Sequence, residues 1–109
     1  MDKYIFPAIF SHEEVGGYSI RFPDLDGCFT EGNTIDEALK MSKEALELFL
    51  WNMEDDDENI PDPSLPENIK VEAGEFVVPI TAYMLDIRDK MNNKAVNKNC
   101  TIPYGVFQK

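Results

Sequence analysis

Tyr18-Ser19-Ile20-Arg21-Phe22, entered through Gly16-Gly17 and left through Pro23-Asp24-Leu25-Asp26-Gly27, is the stretch whose reading decides the fold. Alternation puts Tyr18, Ile20 and Phe22 on one face of a strand and Ser19 and Arg21 on the other, the pattern of a sheet with one buried face. Upstream, Tyr4-Ile5-Phe6-Pro7-Ala8-Ile9-Phe10 is apolar and ends in Ser11 to Gly17, a turn closed by paired glycines. The two runs are predicted to form a hairpin. Pro7 has no amide donor, which predicts an edge strand or a bulge there. Downstream of the turn, Cys28-Phe29-Thr30-Glu31 reads as a short third strand closed by Gly32-Asn33.

A helix follows. Thr34-Ile35-Asp36-Glu37 has the form of a capping box, in which the Thr34 hydroxyl accepts from the Glu37 amide and the Glu37 side chain returns to Thr34. Ile35, Ala38, Leu39, Ser42, Ala45, Leu46, Phe49, Leu50 and Met53 fall on one helical face, expected to lie on the side of the sheet carrying Tyr18, Ile20 and Phe22. The helix is expected to end near Met53, because Glu54-Asp55-Asp56-Asp57-Glu58 sets carboxylates at the unfavourable end of its dipole. Pro61, Pro63 and Pro66 make an extended linker. Glu75 to Tyr83 is the last convincing strand, Asp86 to Asn93 a polar helical turn or connector, and Val96 to Ile102 a further strand stopped by Pro103. The fold class is therefore α+β, in the order β-β-β-α-β, with one amphipathic helix on one sheet face.

Composition narrows the function classes. The 109 residues carry 10 Lys and Arg against 21 Asp and Glu, a formal net charge of −11, and 43 % are hydrophobic, enough for one small domain with a core. The charge is uneven: residues 1–85 hold 19 acidic and five basic side chains, a net −14, whereas residues 86–109 are net +3. Such a body repels phosphate backbones and suits a basic partner, or simply stays soluble. No apolar run approaches the roughly 18 residues that cross a bilayer, and the first ten residues lack a signal-peptide pattern, so a cytoplasmic location is expected. Cys28 and Cys100 lie far apart without a CxxC, and His12 is the only histidine. No zinc site and no cofactor are expected, and both thiols should be reduced.

Gly16-Gly17-Tyr18, Phe22-Pro23-Asp24-Leu25-Asp26-Gly27-Cys28, Thr30-Glu31-Gly32-Asn33-Thr34, Asp36-Glu37-Ala38 and Glu44-Ala45-Leu46, followed by Ile60-Pro61-Asp62-Pro63-Ser64, together resemble the HicB antitoxin family. The match spans about residues 4–83 and departs at Asp26, where the family usually has proline. The resemblance implies a degenerate, partial ribonuclease H-like domain over residues 1–85 that binds and silences HicA, a small basic mRNA ribonuclease with a catalytic histidine. It also implies homo-oligomers, dimers or tetramers. Residues 86–109 then read as a connector and an incomplete remnant of a ribbon-helix-helix module. Lys94 to Tyr104 resembles its strand, with Lys98, Asn99 and Thr101 within that remnant and no DNA-binding residue expected. Because the match stops at Tyr104, operator binding is expected to be weak or absent, and nanomolar sequence-specific binding in a gel shift would contradict that.

Three side chains are candidates for touching the toxin. Asp36, Lys40, Glu44, Glu47 and Trp51 share the helix side opposite the apolar stripe, and an aromatic rimmed by acids has the form of a binding anchor. Glu44, Glu47 and Trp51 are therefore the expected toxin contacts. Trp51 packing under the proline linker or in a homodimer contact is the plainer alternative. The Glu54–Glu58 run is read either as a solvated helix end or as a means of steering a basic partner. Ribonuclease H chemistry needs clustered carboxylates around paired metal ions. Asp24 and Asp26 lie in a turn and Glu31 ends a short strand, so no catalytic residue is assigned. The reading is a non-enzymatic antitoxin, with a degenerate ribonuclease H-like nuclease and an orphan oligomerisation domain as alternatives.

Overall fold

A computed structural model describes residues 2–98, with side-chain surroundings for residues 2–91. The elements are β1 (Lys3–His12), β2 (Tyr18–Arg21), β3 (Phe29–Gly32), α1 (Ile35–Asp55), a single 3-10 turn (Pro66–Asn68), β4 (Glu75–Tyr83) and α2 (Met84–Lys98). The four strands form one antiparallel sheet in the order β3-β2-β1-β4. Residues 3–83 thus follow the β-β-β-α-β order expected from their alternation and periodicity.

Pro7 corrects one expectation. β1 is a central strand, and its register against β4 runs unbroken from Lys3 opposite Tyr83 to Ser11 opposite Glu75, so no bulge accommodates the proline. The ladder tolerates it for another reason. The Glu75 and Tyr83 amides point out of the sheet, to the Glu72 carbonyl and the Glu47 carboxylate. By the two-residue alternation of an antiparallel pair, the Pro79 nitrogen points outward as well, and the Pro7 nitrogen, directly opposite, points away from β4. Pairing of β1 with β2 covers only Ile9 to His12, so neither proline interrupts a ladder bond.

Phe6, Ala8 and Phe10 of β1, Ile20, Phe22, Ile80 and Ala82 form the buried sheet face and pack against Ala38, Leu46 and Leu50 of α1, with Leu25, Cys28 and Met84 at the rim. Burial of this apolar set is the main stabilising term of so small a domain. α1 starts over β3, where Gly32 meets Ala38, and ends over β4, where Glu47 meets Tyr83. This diagonal leaves the first turns overhanging the sheet. Ile35 and Leu39, expected in the buried stripe, are exposed for that reason.

Both ends of α1 are capped. The Thr34 hydroxyl accepts from the Glu37 amide at 3.1 Å, as the sequence predicts, but the Glu37 carboxylate returns one residue earlier, to the Asn33 amide at 2.6 Å. At the other end the Glu58 amide donates to the Met53 carbonyl and the Asp57 amide to the Glu54 carbonyl, a Schellman closure. The left-handed position of that closure is normally glycine; here Asp57 holds it at φ +57°. Asp57→Gly is expected to raise unfolding stability by about 1 kcal/mol, measurable by urea denaturation. An unchanged midpoint would mean that the left-handed conformation carries no cost.

The proline linker is stapled to the β2–β3 turn: the Asp24 carboxylate accepts from the Ser64 amide at 2.8 Å and the Ser64 hydroxyl at 2.6 Å. After β4 the chain turns directly into α2. Arg88 ties α2 down with a two-pronged bond to the Glu54 carboxylate, at 2.9 and 2.6 Å, and a third to Asp2 at 2.9 Å. No proline or glycine interrupts residues 84–98, so the helix runs on through Val96 to Lys98. That corrects the start of the strand expected over Val96 to Ile102. Its remainder, with Asn99 and Thr101, lies outside the described residues, and the expected boundary at residue 85 falls inside α2.

Candidate partner-binding face

The outward side of α1 is built by the same periodicity that buries its inner side. Glu37, Lys40, Glu44 and Leu48 lie along it in solvent, and it continues into exposed Asp55, Asp56, Asp57 and Glu58. Glu54 does not belong to this exposed run, because its carboxylate is paired with Arg88. The result is a ridge of carboxylates interrupted by Lys40, leading into four acids around the helix C-terminus. Chemically it offers a high negative potential in solvent.

The three expected contact residues are not equivalent. Glu44 is exposed on the ridge. Glu47 is buried, 6 % exposed, and its carboxylate accepts from Lys43 Nζ at 2.8 Å and from the Tyr83 amide at 2.9 Å. Trp51 is half-buried and packs against the core cluster. The expectation of one shared exposed face is therefore corrected for Glu47 and Trp51. The reason is that β4 and α2 pack along that flank of α1, which a helical wheel does not reveal. Glu47 instead caps an outward-pointing amide on the β4 edge. Glu47→Ala is expected to destabilise the fold by about 1–3 kcal/mol by leaving that amide without its acceptor, while Lys43→Ala, whose ammonium is exposed, costs well under 1 kcal/mol. Equal losses in denaturant melts would contradict the capping role.

Elsewhere, polar groups are engaged in the scaffold. Arg21 reaches Glu75 at 3.0 Å on the sheet face away from α1, and the Ser11 hydroxyl donates to the same carboxylate oxygen at 3.0 Å. The Glu72 amide, Arg21 and Ser11 together hold the Glu75 carboxyl down at about 2. This contribution to stability is present above the ordinary value of 4.5 and is lost as pH falls toward 2. Burial pushes the Cys28 thiol up to about 11, so at neutral pH it is a protonated core group and no nucleophile. Of the three carboxylates weighed for catalysis, Asp24 is taken up by Ser64, and Asp26 and Glu31 are exposed. Among the described residues no three His, Cys, Asp or Glu side chains are grouped to hold a metal ion, and no helix is long and apolar enough to cross a membrane.

The chain is similar in sequence and in fold to known proteins. The family described as HicB_like antitoxin of bacterial toxin-antitoxin systems matches residues 6–109. A 14.9 kDa protein of Haemophilus phage HP1, from its rep-hol intergenic region, is 35 % identical over 89 residues, covering 80 % of this chain and 65 % of the phage protein. Antitoxin HicB 1 of Photorhabdus laumondii is 38 % identical over 58 residues, 53 % of this chain and 37 % of that protein. The chain thus spans less than two thirds of either relative. Among solved structures, a HicA3 and HicB3 toxin-antitoxin complex superposes with a TM-score of 0.60 at 26 % identity, covering 70 % of this chain and 94 % of the other. A toxin-antitoxin complex from Streptococcus pneumoniae, at 18 % identity, shares the fold with a TM-score of 0.68 over 98 % of this chain and 82 % of the other. With the family pattern covering nearly its whole length and the fold to match, the chain belongs to the HicB-like antitoxin family.

Proposed function

We propose that this chain is an antitoxin that binds a small, basic, HicA-type ribonuclease in the cytoplasm and neutralises it by covering its active site, without catalysis of its own. Family membership supports the antitoxin role, and a HicA3 and HicB3 complex of the same fold supports a toxin as partner. The observation that carries the binding face is the acidic helix end. Asp55, Asp56, Asp57 and Glu58 sit at the negative end of the α1 dipole, with Asp57 in a left-handed conformation that glycine would adopt more cheaply. Residues retained against local stability are expected where function requires them.

In this reading Glu44 touches the toxin directly, pairing with an imidazolium or guanidinium of its catalytic site. Glu47 and Trp51 act from beneath, holding α1 to β4 and to the core. Residues 2–83 form the toxin-binding unit, and α2 is tied to it through the Arg88–Glu54 pair. The test is genetic. Expression of a short, basic, histidine-containing reading frame adjacent to this gene should arrest growth, and co-expression of this chain should restore it. Arrest that persists at equal or excess antitoxin would overturn the assignment.

A further inference from the structure

We infer that the cleft between the end of α1 and the β2–β3 turn is a pocket for an arginine side chain of the basic partner protein. The inference rests on the partner approaching the acidic end of α1, and it adds a second anchoring point beside Glu44. Three segments frame the cleft, which offers about 280 Å³ of open space. Leu25 is the most buried of the lining residues, 3 % exposed. It sits in a turn closed by its own amide on the Phe22 carbonyl and by the Cys28 amide on its carbonyl. Phe49 and Met53 of α1, both half-buried against the core, complete an apolar floor. Pro61 adds a wall from the linker that the Asp24–Ser64 bonds hold down. The walls are thus fixed before any ligand arrives, which lowers the ordering cost of binding.

The rim has one chemical character. Asp26, Asn52 and Glu58 are exposed around the floor, and their side chains have no hydrogen-bond or ion-pair partner among the described residues. Asp24 adds a further carboxylate from the wall. The negative end of the α1 dipole lies beside Glu58, whose amide closes the helix on the Met53 carbonyl. Of the described residues, no basic one lines the cleft. Gly27 leaves the edge of the Phe49 ring uncovered, since a Cβ at residue 27 would already touch Phe49 Cε2 at 4.0 Å. A negative rim over an apolar floor fits a positive group carried on an aliphatic stem.

Size and spacing select arginine among cations. The volume lies just below the roughly 300–1,000 Å³ of small-molecule sites and suits one side chain. The carboxylates are too dispersed to hold a metal ion, since no three acidic groups of the described residues cluster for one. A guanidinium spans such dispersed acceptors with its planar fork of N–H donors, and its weakly hydrated face stacks on an aromatic ring such as Phe49. A lysine ammonium is a compact, strongly hydrated charge, which gains less from that floor. With the stem laid over Leu25 and Met53, the guanidinium meets Asp26, Glu58 and the Asn52 amide oxygen at the rim.

Amide NMR of the whole 109-residue chain, titrated with a capped Gly-Arg-Gly peptide and with its uncharged citrulline isostere, tests the pocket without the toxin. The arginine peptide is expected to shift the Leu25, Gly27 and Asn52 amides saturably, with a Kd on the order of millimolar. The citrulline peptide should bind about tenfold more weakly, and so should the arginine peptide to the Asp26→Asn variant. Asn52→Trp, which fills the cleft without changing its charge, should abolish the shifts. The same variant should release a bound HicA-type ribonuclease about tenfold faster, with the association rate unchanged. Equal binding of the two peptides, no saturable shift at these amides, or an unaltered dissociation rate in Asn52→Trp would overturn the inference. A wild-type chain that binds the arginine peptide but leaves the ribonuclease active would instead count against the antitoxin reading alone.

Discussion

Gly32→Ala is expected to cost about 2–4 kcal/mol of folding stability. A Cβ at residue 32 would lie 2.5 Å from the Ala38 nitrogen and 2.6 Å from the Ala38 Cα. These are backbone atoms of the first turns of α1, and the Ala38 amide is itself bonded to the Thr34 carbonyl at 2.8 Å. They have no rotamer through which to retreat. Relief therefore requires lifting α1 off β3, which opens the contacts of Ala38 with the sheet. Gly16→Ala is the matched control. Its Cβ meets nothing within 4 Å, and the substitution is penalised only by φ +98°, about 1 kcal/mol. Paired urea melts should separate the two variants clearly. If Gly32→Ala costs no more than Gly16→Ala, the close seating of the helix on β3 is wrong.

Neutralising the exposed acids of the α1 terminus should have two effects of opposite sign. In Asp55→Asn, Asp56→Asn, Asp57→Asn and Glu58→Gln combined, removal of carboxylates from the negative end of the helix dipole should raise stability by about 1 kcal/mol in total. The same change should slow association with a basic toxin by about 10–100-fold at low salt and flatten the salt dependence of that rate. Dissociation should change less, because the four side chains are solvated and act mainly at a distance. The contrast with Glu54 is part of the prediction. That carboxylate is committed to Arg88, so Glu54→Gln should loosen α2 and leave the association rate almost unaltered. A stability gain with an unchanged association rate would reduce the acidic run to a solubility device.

Much of this molecule is legible in the sequence because its signals are local. The alternation of Tyr18, Ile20 and Phe22, the Thr34 cap and the Glu75 to Tyr83 run each report their own conformation through period or capping chemistry, and the structure has each of them in place. What the sequence hides depends on partners distant in the chain. Glu47 reads as a surface carboxylate until β4 supplies the Tyr83 amide, 36 positions on. Asp24 reads as a turn residue until Ser64, 40 positions on, closes over it. Ile35 and Leu39 fit the apolar stripe by angle but lie where the diagonal helix overhangs the sheet. Pro7 argued for an edge because its missing donor was visible, whereas the ladder phase that makes it harmless was not.

The candidate site divides in the same way. Glu44 and the acids at the helix end are exposed as their positions on the wheel suggest, while Glu47 and Trp51 are drawn inward by β4, α2 and the core. The chemistry of the face is accordingly simpler than the sequence suggested. It is a solvated acidic ridge on a rigid helix, without a surface aromatic at its centre. On the proposed reading, such a ridge captures a basic protein quickly and leaves the close contact to Glu44.

The antitoxin role is tested most directly by titrating the purified chain into a HicA-type ribonuclease, with cleavage of an RNA substrate followed in time. Cleavage is expected to fall linearly and stop near one antitoxin domain per toxin, and the chain alone to leave the RNA intact with or without added magnesium. Cleavage that continues under saturating antitoxin, or RNA degraded by the chain itself, would contradict it.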